Sequence, residues 1–389
     1  MNPRLGKLQV YPFERLRALL AGVAPGPALR PIDLSIGEPK HPTPAILKDA
    51  LAASLDGLSA YPRTAGLPEL REAIAGWAKR RYALEALDPE TQVLPVNGSR
   101  EALFSFAQAV VDPAAARARV VCPNPFYQIY EGAALLAGAE PLFLNDGMRF
   151  DALDWSGVQL CYACSPGNPT GRVLDLEGWR ALFALSDRHG FVIASDECYS
   201  EIYCDEAKPP LGALEAAWRL GRRDFGRLVV FSSLSKRSNA PGMRSGFVAG
   251  DAALLKSYLL YRTYHGSAMS HAVQRASIAA WNDEAHVREN RRLYAAKYAA
   301  VLPLLEETSL KAERPEGGFY LWIRTPIDDA EFARRLYGQY NVLVLPGSYL
   351  AREAHGSNPG RSHVRIALVA SHGECVEAAR RLKQFANTL

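Results

Sequence analysis

The sequence predicts an α/β protein in which a mostly parallel sheet forms a large domain, with a smaller α/β domain beside it. Two observations predict this class. Short apolar runs rich in β-branched residues recur along the chain, and amphipathic helical patterns separate them. Strands separated by helices form parallel sheets, because the chain must cross back before it enters the next strand in the same direction. Ligands of such proteins bind outside the carboxyl ends of the strands, so polar residues that follow the apolar runs are the functional candidates.

The predicted elements alternate through the first two thirds of the chain. The strands are expected at residues 93–96, 119–122, 160–164, 191–195, 228–231 and 246–249. One helix has Leu70, Ile74 and Trp77 on its apolar face, and another has Leu103 and Phe106. A charged helix over residues 288–305 is expected to connect to the smaller C-terminal domain.

The segment that follows the apolar run 228–231 carries the most informative motif. It reads Ser-Leu-Ser-Lys-Arg-Ser-Asn-Ala-Pro-Gly-Met-Arg and places Lys236 between Ser233 and Arg244. A lysine amine can form a Schiff base with an aldehyde, and a serine and an arginine can hold a phosphate. Together they indicate a site for pyridoxal 5'-phosphate (PLP). Alone the motif is weak, because a surface loop that caps a strand can have the same composition.

Two further strand ends carry compatible residues. The run 160–164 leads into Ser-Pro-Gly-Asn-Pro-Thr-Gly, a rigid turn that presents the amide of Asn168. The run 191–195 leads into Asp196 and, three residues later, Tyr199. An acid and a phenol at this point could address a pyridinium nitrogen and its neighbouring phenolate oxygen. The alternatives are a helix cap for Asp196 and a core ring for Tyr199, but the ordered set is hard to obtain by chance.

These motifs resemble the class I and II aminotransferases, a fold-type I family of PLP enzymes. The likeness runs through nearly the whole chain, and its other motifs are Ile36-Gly-Glu-Pro39, Tyr61-Pro-Arg-Thr-Ala-Gly66, Asn97-Gly-Ser-Arg-Glu-Ala102, Pro125-Phe-Tyr-Gln-Ile-Tyr130, Pro315-Glu-Gly-Gly-Phe-Tyr-Leu-Trp322 and Val364-Arg-Ile366. The resemblance implies a large PLP-binding domain at residues 46–285 and a small C-terminal domain at 286–389. It also implies that the N-terminal segment 1–45 packs with the small domain.

The resemblance implies roles for the residues around the cofactor ring. Lys236 is expected to bind the PLP aldehyde and to move the substrate proton, which requires a partly neutral amine. Asp196 is expected to keep the ring nitrogen protonated, so that the ring acts as an electron sink. Asn168 and Tyr199 are expected to donate to the ring oxygen. Tyr127 is the best match to the aromatic residue that stacks on the ring.

The PLP phosphate has its own predicted partners. They are Ser233, Arg244, the hydroxyl of Ser99 and the backbone of Gly98 to Arg100. Because Gly98 and Ser99 open a helix, its N-terminal amides and dipole favour an anion. Phe126 is the alternative to Tyr127 as the aromatic residue that stacks on the cofactor ring.

The remaining predicted contacts belong to the substrate and to a second subunit. Arg365 is expected to clamp the substrate α-carboxylate bidentately, with the backbone of Gly37 and the amide of Asn168 beside it. The alternative to this substrate-binding role is that Arg365 forms an ion pair on the protein surface. By resemblance, Tyr61 reaches the phosphate of a neighbouring subunit, which implies a homodimer with shared active sites.

The activity implied by the resemblance is transfer of an amino group from an amino acid to a 2-oxo acid. The wider sequence is most similar to bacterial N-succinyl-LL-diaminopimelate aminotransferases of lysine biosynthesis, which implies glutamate and 2-oxoglutarate as the second pair. Such a substrate needs a second cation for its distal carboxylate, with Arg100, Arg63, Lys40 and Arg361 as candidates. An aspartate or aromatic aminotransferase, or a PLP-dependent C–S lyase, remains the alternative.

Composition excludes several other classes. The 389 residues carry a net charge of +4 with no long run of like charge, which gives no reason to expect nucleic acid or a membrane as partner. Charges interrupt the first twenty residues, so neither a signal peptide nor a membrane span is expected, and the cytoplasm is the default location. The only close cysteine pair, Cys161 and Cys164, lies within a predicted strand, where residues three apart face opposite sides. No metal site is expected.

Overall fold

The computed structural model describes residues 1–26, 29–310 and 312–389, which form thirteen α-helices and twelve strands. None of the helices in these ranges is both long and apolar enough to cross a membrane. The strands are β1 (Ile32–Asp33), β2 (Val93–Val96), β3 (Arg119–Asn124), β4 (Glu140–Asn145), β5 (Val158–Cys164), β6 (Val192–Asp196), β7 (Leu228–Ser233), β8 (Gly246–Gly250), β9 (Tyr320–Arg324), β10 (Val342–Leu343), β11 (Leu345–Pro346) and β12 (His363–Ala367).

Helices account for most of the remaining chain. The α-helices are α1 (Pro12–Leu20), α2 (Ala45–Ala52), α3 (Pro68–Tyr82), α4 (Ser99–Val110), α5 (Ile129–Ala137), α6 (Leu176–His189), α7 (Ala213–Arg219), α8 (Leu234–Arg237), α9 (Ala252–His265), α10 (His271–Asn282), α11 (Ala285–Glu306), α12 (Asp329–Tyr340) and α13 (His372–Ala386). Short 3₁₀ helices lie at Pro3–Lys7, Leu55–Ser59, Phe150–Ala152, Pro241–Met243 and Gly347–Leu350.

The large sheet has seven strands in the order β2-β8-β7-β6-β5-β3-β4. All neighbouring strands from β7 to β4 run parallel, whereas β8 is antiparallel to both of its neighbours. The predicted α/β class with a mostly parallel sheet is therefore confirmed. Each predicted strand forms close to its expected position. The sequence did not predict β4, an edge strand whose residues are only partly buried and whose apolar run, Leu142 to Leu144, is short and follows a proline.

Two hydrophobic cores cover the two faces of this sheet. Alternate residues of β7 enter opposite cores: Leu228 and Val230 pack on one face, and Val229 and Phe231 on the other. All four side chains are essentially inaccessible to water. The sheet and the helices on its two faces thus form a three-layer structure in which the carboxyl ends of the strands are fixed in space.

A third core joins the N-terminal segment to the C-terminal part of the chain. Ile32 pairs in parallel with Val342, and Ile32 and Leu34 pack with side chains of α11 and α13. Beside them, β11, β12 and β9 form an antiparallel sheet. The two ends of the sequence therefore share one core. The domain boundaries at residues 45 and 285 stay a prediction.

The cysteines of the predicted pair lie in β5 as expected. Cys161 packs in the core on one face of the large sheet, and Cys164 packs against the core on the other face. Both are free thiols. Burial raises the pKa of each to about 12, which keeps them protonated and unreactive at neutral pH.

We expect Phe106→Ala to lower the free energy of unfolding by about 3–5 kcal/mol. The core around Phe106 packs against the large sheet, so the surrounding side chains cannot move in to fill the cavity that the substitution leaves. Phe106 is fully buried and makes edge contacts with Phe231 at 5.4 Å and Tyr258 at 5.2 Å between ring centroids. Urea denaturation measures the change. Lys256→Ala, on the exposed side of α9, is the control and should change stability by less than about 0.5 kcal/mol. A loss below about 1 kcal/mol for Phe106→Ala would contradict this description of the core.

Candidate active site

A cavity of about 510 Å³ opens where the carboxyl ends of the parallel strands meet the N-terminal segment and the third core. This volume suits a cofactor with a small substrate. Ten of the thirteen residues predicted from sequence line it: Gly37, Ser99, Arg100, Tyr127, Asn168, Asp196, Tyr199, Lys236, Arg244 and Arg365. Residues from distant parts of the chain thus share one wall.

Lys236 lies in α8, the short helix that begins directly after β7. Its Nζ donates a hydrogen bond to the backbone oxygen of Gly37 at 2.5 Å and lies 5.6 Å from the centre of the Phe319 ring. Burial, and to a lesser degree the nearby charge of Arg365, lowers the pKa of Lys236 to about 8. A substantial fraction of this amine is therefore neutral near physiological pH, which is the form that acts as a nucleophile or base.

Asp196 is the last residue of β6 and is buried beneath the cavity. One carboxylate oxygen accepts a hydrogen bond from the Tyr130 hydroxyl at 2.6 Å, and the other accepts one from the backbone N–H of Cys198 at 3.2 Å. Tyr130 is itself stacked on Tyr162 at 4.7 Å. Burial raises the pKa of Asp196, while these hydrogen bonds act in the opposite direction. The carboxyl group is therefore fixed in position and suited to hold a proton on a basic partner.

Arg365 projects from β12 and is only 4% exposed. Its two terminal nitrogens donate to the side-chain oxygen of Asn168 at 3.0 Å and to the backbone oxygen of Ser35 at 2.8 Å. The guanidinium lies over the Tyr320 ring at 4.4 Å, and its Nε has no hydrogen-bond partner among the described residues. No carboxylate in the described ranges forms an ion pair with Arg365, so the surface ion pair considered from sequence is not present. A buried cation held only by neutral oxygens is a receptor for an anionic ligand.

Neutral hydrogen-bonding groups complete this side of the cavity. The hydroxyls of Tyr199 and Tyr320 lie 2.9 Å apart, and both side chains are buried. Asn168 uses its oxygen for Arg365, and its amide nitrogen has no acceptor within the described residues. An amide N–H and a phenol O–H therefore remain available for an oxygen atom of a ligand.

The part of the cavity wall around the start of α4 suits a phosphate. Helix α4 begins after Gly98, which has a φ of +81°, and no side chain caps its first turn. Arg244 lies over this glycine, where a Cβ atom would come within 2.9 Å of its Cζ. Ser99 and Ser235 line the adjacent wall. Uncapped amide groups, a guanidinium and hydroxyls together form a cradle for a doubly charged anion.

Three predicted residues do not line the cavity. Gly98 lies beneath Arg244 as described, and Ser233 is buried, where its hydroxyl accepts from the Ser235 backbone at 3.0 Å and bonds the Ser235 hydroxyl at 2.8 Å. Ser233 therefore reaches the cavity only through Ser235, and direct binding of phosphate by Ser233 stays a prediction. Tyr61 is fully exposed on the surface of the chain.

The two candidates for the ring-stacking aromatic residue differ in position. Tyr127 lines the cavity, whereas Phe126 is buried and stacks on Phe143 at 5.4 Å. The stacking role of Tyr127 stays a prediction, and the wall also contains residues that the sequence did not indicate. Tyr130 and Tyr320 lie in two motifs of the family resemblance, 125–130 and 315–322, although the sequence predicted no role for either residue. Tyr11 had no local signal, because its contact with the site is to a residue 89 positions away.

Comparison with known proteins gives consistent matches. Residues 30–382 match the family model of aminotransferase class I and II. The crystal structure of an aminotransferase from Neisseria meningitidis Z2491 is 52% identical, with a TM-score of 0.96 over 99% of this chain and 100% of that one. LL-diaminopimelate aminotransferase of Maridesulfovibrio salexigens is 31% identical over 98% of both chains. The structure of a probable N-succinyldiaminopimelate aminotransferase from Thermus thermophilus is 27% identical, with a TM-score of 0.84 over 96% of this chain and 99% of that one.

We expect Lys236→Met to stabilise the protein without added ligand at pH 7, by about 1–3 kcal/mol. The lowered pKa of about 8 means that folding disfavours the charged amine, whose ordinary pKa is 10.5. The gain should be full below pH 8 and disappear as the pH rises towards 10.5, where the unfolded chain is also neutral. Denaturation at pH 7 and pH 10 measures it, and Lys256→Met serves as the exposed control. A methionine variant that is less stable than wild type at pH 7 would contradict the burial of a charge.

Proposed function

The chain belongs to the class I and II aminotransferases, a PLP-dependent family, and we propose that it binds PLP and exchanges the amino group of N-succinyl-LL-2,6-diaminopimelate with 2-oxoglutarate. The observation that carries the reaction type is the cavity that combines a low-pKa lysine, a buried acid and an unpaired arginine: Lys236, Asp196 and Arg365. The name of the Maridesulfovibrio relative supports a role in diaminopimelate metabolism, and the name of the Thermus relative and the wider sequence likeness support the N-succinyl group. This reaction belongs to the biosynthesis of diaminopimelate and lysine.

The residues on the cavity wall suit PLP. The α4 terminus with Ser99 and Arg244 would hold its phosphate, and Asp196 its ring nitrogen. Asn168 and Tyr199 would donate to its ring oxygen. When bound, PLP withdraws electrons from the Cα atom of an attached amino acid and so weakens the Cα–H bond. The residues themselves must place the substrate and move its proton.

Proton movement falls to Lys236. The amine is held towards the N-terminal segment by the carbonyl of Gly37 and is partly neutral because it is buried. A neutral amine in this position can take the proton from the substrate Cα and return it later, and a pKa of about 8 is well matched to this exchange near neutral pH.

Placement falls to Arg365. Its unpaired Nε and its terminal nitrogens offer a planar fork for the substrate α-carboxylate, a geometry that a lysine cannot provide. The contacts with Asn168 and Ser35 fix the plane of the guanidinium before substrate arrives. A preformed clamp orients the Cα–H bond towards the lysine and lowers the entropic cost of reaching the reactive geometry.

We also propose that the protein is a homodimer with shared active sites. Exposed apolar and aromatic side chains on the surface near the 3₁₀ helix Leu55–Ser59 support this: Leu55, Leu58 and Tyr61 are 51%, 66% and 101% exposed. Contiguous exposed side chains of this kind are typical of protein interfaces. In the dimer, Tyr61 would reach the phosphate in the partner's cavity, as the family resemblance implies. The cytoplasmic location stays a prediction.

We expect the protein supplied with PLP to develop a visible absorbance band that glutamate bleaches and N-succinyl-2-amino-6-oxopimelate restores. Lys236→Ala should not support this cycle, and Lys256→Ala should behave as wild type. Restoration only by oxaloacetate or an aromatic oxo acid would indicate a different aminotransferase. Release of pyruvate and ammonia from cystathionine would indicate a C–S lyase. No band after addition of PLP would contradict the whole proposal.

We expect Asp196→Asn to slow the half-reaction with glutamate by more than about tenfold, equivalent to about 1.4 kcal/mol of barrier. An amide cannot keep the ring nitrogen protonated, so the electron-withdrawing state of the cofactor is lost. Glu197→Gln is the matched control, because this neighbouring buried acid bonds Tyr82 and the Ala213 backbone instead of lining the cavity. Stopped-flow absorbance measures both variants. Equal rates for Asp196→Asn and wild type would rule out the assigned role.

A further inference from the structure

The short helix that carries Lys236 cannot hold its own carboxyl end. Helix α8 is four residues long, and a helix leaves its last four backbone oxygens without partners inside it. Ser238, the residue after α8, donates its N–H to the Leu234 oxygen at 3.0 Å. The backbone oxygens of Lys236 and Arg237 therefore need donors from elsewhere, since unpaired backbone groups are costly inside a protein.

Asn290 of α11 supplies these donors. Its side-chain nitrogen donates to the backbone oxygen of Lys236 at 3.1 Å and to that of Arg237 at 3.3 Å. No other side chain in the described ranges donates to either oxygen. Asn290 is only 2% exposed and lies 54 residues after Lys236. The backbone at the lysine is thus held by a buried side chain from a distant part of the chain.

The oxygen of the same amide is held in turn. It accepts hydrogen bonds from the side-chain nitrogen of Asn239 at 3.0 Å and from Nδ1 of His41 at 2.9 Å. His41 also packs on Tyr294, which lies one turn further along α11, with 4.6 Å between the ring centroids. Because an amide oxygen only accepts and an amide nitrogen only donates, these contacts fix which end of Asn290 faces the lysine.

The N-terminal segment therefore acts on both ends of Lys236. Gly37 accepts from its Nζ, and His41, four residues later, holds the amide that binds its backbone. Thr43 adds a further link by donating to the backbone oxygen of Asn239 at 2.7 Å. A side chain that is fixed at its backbone and at its tip keeps its amine in a narrower range of positions than one fixed at the tip alone.

We propose that Asn290 is a positioning residue for the proposed reaction, which holds the backbone of Lys236 so that the amine stays within reach of the substrate Cα. This inference rests on the proposed function, because proton movement is the step that it supports. Asn290 does not line the cavity, so its effect passes through Lys236. Such an effect is large, since a displacement of about 1 Å costs about 100-fold in rate when a reacting group is misplaced.

The test measures the effect of Asn290 with and without the lysine. In the PLP-loaded protein, Asn290→Ala should slow the half-reaction with L-glutamate by about 10- to 100-fold and change the apparent Kd of glutamate by less than about threefold. In a Lys236→Ala background, ethylamine is supplied as the base in place of the lysine amine. There the same substitution should change the rate by less than about twofold, because no lysine remains to be positioned. Stopped-flow absorbance measures all four proteins.

Two further variants separate the contacts of the amide. Asn290→Asp keeps oxygens for Asn239 and His41 but cannot donate, so it should also slow the half-reaction by more than about tenfold. His41→Phe retains a ring against Tyr294 and leaves both donors of Asn290 in place, so its loss should be smaller.

Asn341 provides the matched control. It is also buried, and its side-chain nitrogen donates to a backbone oxygen, that of Leu29, at 2.8 Å. Glycine readily adopts the φ of +51° found at this position. Asn341→Gly should therefore lower stability without changing the rate of the half-reaction.

A measurement without PLP tests the same contact independently of the reaction. Lys236→Met is expected to stabilise the PLP-free protein at pH 7, because the charged amine is buried. In an Asn290→Ala background this gain should be smaller, since a released backbone lets the amine turn towards water. Urea denaturation of the two single variants, the double variant and wild type measures the difference.

Equal slowing by Asn290→Ala with the lysine and with ethylamine would show general support of the cavity and overturn the positioning role. A normal rate in Asn290→Ala, or an equal gain from Lys236→Met in both backgrounds, would also overturn it. A wild-type protein that reacts with no amino acid would refute the proposed function. In that case the PLP-free measurement still decides whether Asn290 holds Lys236.

Discussion

The site depends on two cations that are held by main-chain oxygens rather than by acids. Gly37 accepts from Lys236 of the large domain, and Ser35 accepts from Arg365 of β12. Neutral carbonyls satisfy the N–H groups without cancelling their charge, so the cavity keeps its attraction for anions. Had carboxylates held these side chains, the lysine pKa would rise and the arginine would have no charge left for a ligand. The N-terminal segment is thus part of the site.

The same arrangement explains why the acidic and the cationic side chains of the cavity do not pair with each other. Its buried acid, Asp196, is fixed by Tyr130 and a backbone N–H, which keeps it away from the cations. Its cations have separate partners: Arg244 lies over the α4 terminus, Arg365 contacts Asn168, and Arg100 contacts Tyr11. A ligand with a phosphate, an α-carboxylate and a basic ring nitrogen meets a complementary group at each position.

Residues at strand ends could be predicted from sequence because their signal is local. Asn168, Asp196 and Lys236 each follow an apolar run within a few positions, and a parallel sheet brings such ends together. Ser35 and Tyr11 could not be predicted in their roles, since their partners lie 330 and 89 residues away and the Ser35 contact uses only the backbone. The edge strand β4 was missed because its apolar run, Leu142 to Leu144, is short and follows a proline at a partly buried sheet edge. Local patterns therefore predicted the fold and the cofactor side of the site, whereas long-range packing determined the rest.

The backbone contacts of residues 35 and 37 have a consequence for how the sequence can vary. Because Ser35 contributes a carbonyl to Arg365, many side chains at this position would preserve the contact. Gly37 cannot be replaced by another residue in this way, because a Cβ atom would overlap the Tyr320 ring and come within 2.9 Å of its Cε1. A deletion between them would displace both carbonyls at once and release both cations. The residue type at position 35 can therefore vary, whereas Gly37 and the length of the segment cannot.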